Sequence, residues 1–248
     1  MNKKLLILAD IHGRKFWKNP CHDIEKYDKV IFLGDYLDSY DFENISVQEC
    51  IENFKEIIEF KKANSDKVVL LLGNHDYPYY SDEYFGLSRY HCRHSNRYHD
   101  DISKLFKDNK DCFQLAYAEG DILFTHAGVD GDWLRESVGC SKTDINEICH
   151  AINMLKDDVD GQKKLHQVTY SRGGYDQFGS CVWADVNDIK NGSRIPGIKQ
   201  VFGHTLQAFY DKNMNIVFGN AVEFDDCKML DNARPYELDV NTFTIKEV

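Results

Sequence analysis

The residues of this sequence that could do chemistry follow short aliphatic runs and stand beside glycines. The segments ADIHG, LGDYLD, LGNHD, FTHAG and FGHT contain the candidate metal ligands Asp10, His12, Asp35, Asn74, His126 and His204. A mixed set of carboxylate, imidazole and amide oxygen donors suits borderline divalent ions such as Mn²⁺, Fe²⁺ or Zn²⁺. Two such ions about 3.5–4 Å apart need a bridging group, and a carboxylate can bridge. The pattern therefore predicts a two-metal site.

Each of these motifs, taken alone, also has an ordinary structural explanation. A single Asp or Asn at a strand end is usually a turn residue or a helix N-cap. A single buried His is more often a hydrogen-bonded core residue than a ligand. Five strand ends that each combine Asp, Asn or His with a neighbouring glycine are improbable together by chance. The shared metal site is therefore the favoured interpretation.

The aliphatic runs before these residues are predicted to be strands. They are typical of strands buried on both faces, and they cover residues 5–10, 29–35, 67–74, 122–128, 199–205 and 215–221. Residues 236–240 and 243–248 predict a closing hairpin with its turn at 241–242. Ligands of open α/β sheets gather beyond the carboxyl ends of the strands, so ligands that are distant in sequence can converge there.

Helical patterns lie between the strands. Ser46 and Glu49 form a capping box before an apolar stripe over residues 47–58. Asp144 precedes a second apolar stripe over residues 145–155. Strands that alternate with helices predict an α/β layered fold.

Length, charge and cysteine usage limit the class of protein. The 248 residues predict a single domain, 1–248, with cap-like insertions near 78–118 and 130–198. The net charge of −11 disfavours general nucleic-acid binding, and no apolar run is long enough for a membrane span. The eight cysteines follow no zinc or disulfide pattern and no secretory core precedes them, which predicts a cytoplasmic protein with reduced thiols.

Five motifs of this chain resemble those of the calcineurin-like metallophosphoesterase superfamily, in order and spacing: Asp10-x-His12, Gly34-Asp35-x-x-Asp38, Gly73-Asn74-His75-Asp76, His126 and Gly203-His204. The segments DIHG, THAG and FGHT, with Trp183 between the last two, are most similar to the branch that contains phosphoprotein phosphatases and diadenosine tetraphosphatases. The resemblance implies a four-layer α/β/β/α sandwich of two mixed sheets, with a binuclear metal site at the carboxyl ends of the strands.

The resemblance also implies a role for each motif residue. The expected ligands are Asp10, His12 and Asp35 for the first ion, and the bridging Asp35 with Asn74, His126 and His204 for the second. His75 would be the general acid, oriented by Asp38, and Asn74 would also contact the substrate. The expected cofactors are two metal ions, chosen from Mn²⁺, Fe²⁺ or Fe³⁺, and Zn²⁺.

The expected function is metal-dependent hydrolysis of a phosphoric ester carried by a small molecule, nucleotide or phosphoprotein. A hydroxide held between the metals would attack phosphorus in line, and His75 would protonate the departing oxygen. A phosphomonoesterase of the Ser/Thr phosphoprotein phosphatase type is the leading interpretation. The alternatives are a nucleotide or dinucleoside polyphosphate hydrolase and an inactive protein-binding scaffold. Nucleases of this fold have a second histidine where Leu206 stands, which argues against a nuclease.

One arginine of the phosphoprotein phosphatase pattern is missing. That pattern places a phosphate-binding arginine directly after the second aspartate of the second motif, where this chain has Ser39 after Asp38. A guanidinium fork is hard to replace by another side chain. The candidate replacements are Arg14, Arg172 and Arg194, and Arg14, just past DIHG, is favoured as the substrate-binding residue.

Two further groups of residues have open interpretations. Arg89, Arg93 and Arg97 are spaced by four in the segment 88–100, which on a helix would give one basic stripe. That stripe is either a cap that meets an anionic substrate or a solvated face paired with carboxylates. Five tyrosines near the motifs would either stack on an aromatic group of the substrate or pack at the rim: Tyr36, Tyr40, Tyr77, Tyr79 and Tyr80.

Overall fold

The computed structural model describes residues 3–82, 84, 92–210, 212, 216–218, 220–230 and 233–248. Its strands are β1 (Lys4–Leu8), β2 (Lys29–Phe32), β3 (Val68–Leu71), β4 (Phe113–Gln114), β5 (Ala116–Glu119), β6 (Ile122–Thr125), β7 (Lys199–Phe202), β8 (Ala208–Tyr210), β9 (Ile216–Phe218), β10 (Val222–Phe224), β11 (Cys227–Met229), β12 (Pro235–Asp239) and β13 (Thr244–Glu247). Its α-helices are α1 (Lys18–His22), α2 (Val47–Ala63), α3 (Tyr77–Tyr80), α4 (His99–Asp108), α5 (Ile145–Met154), α6 (Val159–Leu165) and α7 (Val186–Asn191).

The strands form two mixed sheets and a small ribbon. The first sheet has the order β13-β12-β1-β2-β3-β4, and the second has the order β10-β11-β7-β6-β5. In the first sheet β1, β2 and β3 are parallel, and in the second β6 and β7 are parallel. The predicted closing hairpin is confirmed, because β12 pairs antiparallel with both β1 and β13.

The two sheets pack face to face with helices outside, which confirms the predicted α/β sandwich. Leu5 and Ile31 of the first sheet share one apolar cluster with Phe124 and Val201 of the second. The alternate residues of the first sheet face outward, where Phe32 belongs to the same apolar cluster as Phe54 of α2. On the far side of the second sheet, α7 packs against β7 and α5 lies against β5 and β6. Strands buried on both faces explain the continuous aliphatic runs.

The predicted helix starts are confirmed by their caps. The Ser46 hydroxyl accepts a hydrogen bond from the Glu49 amide, and the Glu49 carboxylate accepts one from the Ser46 amide at 2.9 Å. The Asp144 carboxylate accepts from the amides of Asn146 and Glu147 at the start of α5. Each such cap stabilises its helix by about 1 kcal/mol.

Two segments predicted from the sequence need a more detailed description. The strand predicted over residues 215–221 forms over Ile216–Phe218 as β9, and it pairs with β8 in a separate ribbon. The place beside β7 is taken by β11, whose three residues were too short to give a sequence signal. Arg93 and Arg97 do not share an α-helix either, since Arg93 lies in a loop and Arg97 in the 3₁₀ helix Asn96–Tyr98. Arg89 lies outside the described residues.

The organisation as one domain with two insertions stays a prediction. The later part of the segment 78–118 includes β4 and most of β5, which are strands of the two main sheets. All eight cysteines are free thiols. Within the residues that the structure describes, no helix is both long and apolar enough to cross a membrane.

Candidate active site

The predicted ligands follow the carboxyl ends of five strands at one edge of the sandwich. Asp10, Asp35 and Asn74 follow the parallel strands β1, β2 and β3 of the first sheet. His126 and His204 follow the parallel strands β6 and β7 of the second sheet. The two sheets therefore bring donors from both halves of the chain to one place.

These donors form two overlapping groups that share one carboxylate. The ligand atoms of Asp10, His12 and Asp35 lie within 4.8 Å of one another, and those of Asp35, His126 and His204 do the same. One oxygen of Asp35 is 3.5 Å from Nε2 of both His12 and His126. Two three-residue groups joined through a carboxylate fit a pair of metal ions with a bridging ligand.

Asn74 lies beside the second group. Its Oδ1 lies 3.0 Å from Nε2 of His126, and the same nitrogen lies 3.1 Å from Nδ1 of His204. An amide oxygen, two imidazole nitrogens and a shared carboxylate thus point at one volume. This donor set is suited to Mn²⁺, Fe²⁺ or Zn²⁺.

Hydrogen bonds to backbone carbonyls fix the orientation of two imidazoles. Nδ1 of His12 donates to the carbonyl of Leu37 at 2.8 Å, and Nδ1 of His126 donates to the carbonyl of Leu33 at 2.8 Å. Because Nδ1 carries the proton in both rings, the lone pair of Nε2 is directed at the shared carboxylate. Such a second partner is the usual support of a metal-binding histidine.

The backbone at these strand ends is strained. Asp10, His12 and Asp35 have φ values of 49°, 43° and 56°, and Asp38 and His204 have 57° and 72°. Left-handed backbone costs a residue with a Cβ roughly 1–2 kcal/mol. Strain of this kind persists only where the surrounding structure enforces it, and it clusters at functional sites. Five residues with such backbone lie at this edge, which supports the prediction of a functional site there.

A buried carboxylate holds the strained turns in place. Asp76, which is fully buried, accepts hydrogen bonds from the backbone amides of Asp35, Tyr36 and Gly73 at 2.8, 3.0 and 2.8 Å. These bonds tie the end of β2 to the end of β3. No role for Asp76 is predicted from the sequence, although its place in the motif LGNHD is the available signal.

Two glycines are required by the close approach of ligand carboxylates. A Cβ at Gly73 would lie 2.2 Å from Oδ1 of Asp35, and a Cβ at Gly203 would lie 2.3 Å from Oδ2 of Asp10. Any side chain at these positions would displace the carboxylate. The glycines beside the ligands are therefore part of the site's geometry.

Burial and neighbouring charges set the protonation of the ligands. Burial lowers the pKa of both His12 and His204, and the Arg172 guanidinium lowers that of His204 further. Burial raises the pKa of Asp10 to about 6. Burial opposes ionisation of Asp35 too, but His126, His75 and His12 outweigh it and lower its pKa to about 2. Neutral imidazoles and an ionised bridging carboxylate are the forms that bind metals.

His75 and Asp38 form a hydrogen-bonded pair beside the ligands. Nδ1 of His75 lies 2.9 Å from Oδ2 of Asp38, and the Tyr79 hydroxyl donates to Oδ1 of Asp38 at 2.7 Å. The His75 amide donates to Oδ1 of Asp35 at 2.9 Å, which fixes the residue against the bridging carboxylate. The structure therefore places Asp38 against the imidazole, and the roles of the two residues stay a prediction.

Four of the six predicted ligands line a cavity of about 390 Å³ that is also lined by two arginines. Its wall includes His12, Asn74 and His75, together with Tyr40, Arg93 and Arg172. From the sequence, Arg172 is one candidate replacement for the missing arginine, and Arg93 is only part of a possible helical stripe. Arg93 could not be found by pattern, since its loop has no periodicity.

Arg14 has a different environment. Its Nε donates to Glu43 at 2.5 Å and its Nη1 donates to the carbonyl of Asp10 at 2.8 Å. It is not among the cavity-lining residues, and neither is Arg194, which pairs with Asp225. Arg14 as a substrate-binding residue stays a prediction.

Most of the tyrosines near the motifs are core residues. Tyr36, Tyr77 and Tyr79 are fully buried and Tyr80 is nearly so, while Tyr40 lines the cavity. The Tyr36 hydroxyl donates to the carbonyl of Leu71 at 2.8 Å. Four of the five rings are therefore inaccessible to a substrate, and neither interpretation from the sequence describes them.

The fold and the site together define a metal-dependent phosphoesterase. The sequence matches the family model of the calcineurin-like phosphoesterases over residues 3–208. The chain belongs to this family, and it is a metallophosphoesterase, a hydrolase of phosphoric esters. A comparison with curated proteins gave no match.

Solved structures share the architecture at low sequence identity. A cold-active protein-tyrosine phosphatase of a psychrophilic Shewanella species is 16% identical with a TM-score of 0.54, over 100% of this chain and 80% of that one. A protein serine/threonine phosphatase from Saccharomyces cerevisiae, with similarity to human phosphatase PP5, is 15% identical with a TM-score of 0.50, over 96% and 73%. Likeness at these identities shows the fold, two mixed sheets with flanking helices.

Proposed function

We propose that this protein is a two-metal phosphomonoesterase of the phosphoprotein phosphatase type. The observation that carries the proposal is the junction of two ligand groups at Asp35, directly beside the hydrogen-bonded pair of His75 and Asp38. A scaffold without activity needs neither feature. The resemblance of the motifs DIHG, THAG and FGHT supports the branch.

Six residues would hold two ions, drawn from Mn²⁺, Fe²⁺ or Fe³⁺, and Zn²⁺. They are Asp10, His12, Asp35, Asn74, His126 and His204. When bound, the ions would lower the pKa of water and neutralise negative charge on the phosphoryl oxygens. The chain's own contribution is a buried, rigid set of donors, which strand ends and backbone hydrogen bonds hold before any ion binds.

His75 would act as the general acid. Nδ1 is occupied by Asp38, so the ring presents Nε2 to the cavity that the residue lines. An imidazole that is oriented in this way could donate a proton from Nε2 to the departing oxygen of the substrate. Asn74 is also proposed to contact the substrate, because it lines the same cavity.

The compartment proposed for this activity is the cytoplasm. Its support is the state of the cysteines, since all eight are free thiols and oxidising compartments favour disulfides. The partner is a phosphorylated small molecule, nucleotide or phosphoprotein.

Metal analysis combined with a substrate panel tests the proposal. The purified protein should contain about two ions per chain and hydrolyse p-nitrophenyl phosphate, and a chelator should abolish the turnover. A phosphopeptide, a phosphodiester and a dinucleoside polyphosphate, assayed together, separate the phosphomonoesterase from the polyphosphate hydrolase. Metal-loaded protein without turnover of any member of the panel would support the scaffold alternative.

Substitution of His75 tests the acid. His75→Asn should keep its metal content but lower kcat by about 10²–10⁴-fold on an alkyl phosphate, the usual scale of general acid catalysis. The loss should be smaller on p-nitrophenyl phosphate, because a good leaving group needs less protonation. His150→Asn, an exposed histidine outside the cavity, is the matched control. Equal losses on the two substrates would contradict the acid role.

A further inference from the structure

We propose that Arg93 supplies the phosphate-binding guanidinium that is missing after Asp38, and that it directs the site to dianionic phosphate monoesters. The inference rests on the proposed function. It assigns the role to a residue far along the chain from the motif that lacks the arginine. The support comes from four features of Arg93: its anchors, its stacking, its lack of a carboxylate partner and the segment that carries it.

The anchors place Arg93 at the turn where the arginine is missing. Nε of Arg93 donates to the carbonyl of Asp38 at 2.9 Å and lies 3.2 Å from the carbonyl of Ser39. Ser39 is the position of the arginine in the phosphoprotein phosphatase pattern. The guanidinium of Arg93 therefore lies at the turn of Asp38 and Ser39, although Arg93 comes from another part of the chain.

Stacking fixes the plane of the guanidinium. The Arg93 guanidinium carbon lies 3.8 Å from the centre of the Tyr40 ring, and Tyr40 itself stacks on Phe42. A guanidinium over an aromatic face is held by cation–π attraction. The side chain is thus ordered before substrate arrives, so less rotamer entropy is lost when the phosphate binds.

The charge of Arg93 is not neutralised by a carboxylate of the described chain. Arg14 pairs with Glu43, Arg194 with Asp225, and Arg172 lies 3.6 Å from Asp185. Among the residues that the structure describes, Arg93 forms no such salt bridge. Its Nη2 lies instead 3.4 Å from Nδ1 of His12, at the cavity wall. An uncompensated cation beside a ligand set is suited to an anionic ligand.

The segment Cys92–Ser95 is tied to the active site on both sides of Arg93. The Cys92 thiol donates to the carbonyl of Asn74 at 3.3 Å, and the Ser95 amide donates to the Tyr79 hydroxyl at 2.8 Å. Tyr79 in turn donates to Asp38. Contacts to a metal ligand and to the partner of the general acid fix where Arg93 stands.

A second guanidinium stands at the other end of the ligand set. Nη2 of Arg172 donates to the carbonyl of His204 at 2.9 Å, beside the second group, whereas Arg93 stands beside His12 of the first. Two cations flank the space in which a phosphoryl group would lie. A monoester dianion offers three terminal oxygens to the metals and both arginines, and a diester offers fewer oxygens and less charge.

Inorganic phosphate is the probe for this proposal. Binding of phosphate to the Mn²⁺-loaded protein, measured by calorimetry, should weaken roughly 10- to 100-fold in Arg93→Ala, the range for loss of hydrogen bonds to a charged group. KM for a monoester should rise by a similar factor while metal content stays unchanged. Arg93→Lys should recover only part of the affinity, because an ammonium cannot form the bidentate fork.

The matched control is Arg97→Ala, an exposed arginine of the same region that does not line the cavity. It should bind phosphate as the unsubstituted protein does. Added guanidinium ion should restore part of the turnover of Arg93→Ala, which a merely structural role would not allow. Unchanged phosphate affinity in Arg93→Ala would overturn the proposal. If Arg93→Ala loses its metals, Arg93→Lys is measured instead. An unchanged phosphate affinity in Arg93→Lys would also overturn the proposal.

The outcome can be separated from that of the proposed function. Absence of metal-dependent turnover in the unsubstituted protein would contradict the proposed phosphatase activity. Phosphate binding to the metal-loaded protein would still show whether Arg93 holds the anion. If the unsubstituted protein is active and Arg93→Ala binds phosphate with the same affinity, only this inference is contradicted.

Discussion

The two sides of the active-site cavity are built in different ways. One side is the ligand wall, which we define as the strand-end residues Asp10, His12, Asp35, Asn74, His126 and His204. All of these except Asp10 and His126 line the cavity directly. The other side, the cover, consists of the segments 92–95 and 170–172. Asp10 is 3% exposed and His126 is fully buried in the wall, whereas the Arg172 side chain of the cover is 24% exposed.

The difference in construction corresponds to a difference in role. The wall is fixed by parallel strands and by three hydrogen bonds that backbone amides donate to the Asp76 carboxylate. Its strained turns leave the donor side chains little freedom. The cover is loop and short 3₁₀ helix, held by side-chain contacts. A rigid wall can set the chemistry while loops adjust which phosphoric ester is accepted. The predictions below separate these two roles.

The largest effect is expected from the residue that joins the two ligand groups of the wall. Asp35→Asn removes the bridging charge and leaves both groups with one anionic donor fewer. We expect the protein to lose at least one ion and turnover to fall by roughly a thousandfold or more. Metal analysis by mass spectrometry, together with p-nitrophenyl phosphate assays, measures both.

The matched control for this change is Asp41→Asn, an exposed carboxylate near the cavity. It should keep both ions and full turnover. Arg93→Ala should keep both ions as well, since it belongs to the cover. Retention of two tightly bound ions in Asp35→Asn would show that the ligand groups do not share a bridge.

The wall could be predicted from the sequence because its signals are local and repeated. An aliphatic run, a glycine and a ligand recur at the ends of β1, β2, β3, β6 and β7, and parallel strands bring such ends together. The resemblance to a known motif set then implied that Asp38 orients the imidazole of His75. Gly73 and Gly203 are explained in the same way, because a Cβ at either position would clash with a carboxylate of the wall.

The cover could not be predicted because its signals are not local. Arg93 reaches the turn at Ser39 across a long sequence separation, and its spacing to Arg97 imitated a helix that does not form. Arg14 was favoured because it is next to a ligand motif in sequence, yet its guanidinium is bound by Glu43 and by the Asp10 carbonyl. Proximity along the chain indicates position in a turn, but not which way a long side chain points.

A second prediction compares Arg14, whose guanidinium is bound by Glu43, with Arg93 of the cover. Arg14→Met should lower the free energy of unfolding by about 2–4 kcal/mol, because it leaves the half-buried Glu43 carboxylate without its cation. Urea unfolding of the metal-free protein measures this. Arg14→Met with Glu43→Met should recover part of the loss, since no buried charge is then left unpaired.

Arg135→Met, which breaks the exposed pair with Asp132, is the control for Arg14 and should cost less than about 1 kcal/mol. Arg93→Ala should likewise change stability little but weaken phosphate binding. A different result would break the comparison. If Arg14→Met unfolds like the unsubstituted protein and binds phosphate weakly, then Arg14 is the substrate-binding residue, as the sequence alone predicts.

The smallest effect concerns pH, which acts on the wall and not on the cover. Burial raises the pKa of Asp10 to about 6 in the metal-free protein, so below that pH a proton competes with the ion for this carboxylate. Mn²⁺ affinity should therefore fall by up to about tenfold per pH unit below pH 6 from this proton alone. His12 and His204 add little in this range, because their pKa values are lowered and their rings stay neutral.

Calorimetric titration with Mn²⁺ at pH 5, 6 and 7 checks this dependence, and two buffers of different ionisation enthalpy count the proton released. Near pH 5 about one proton should leave as the ion binds, and near pH 7 almost none should. An Mn²⁺ affinity that is flat from pH 5 to 7 would mean that Asp10 is ionised before the metal arrives. The wall would then be preformed in charge as well as in geometry.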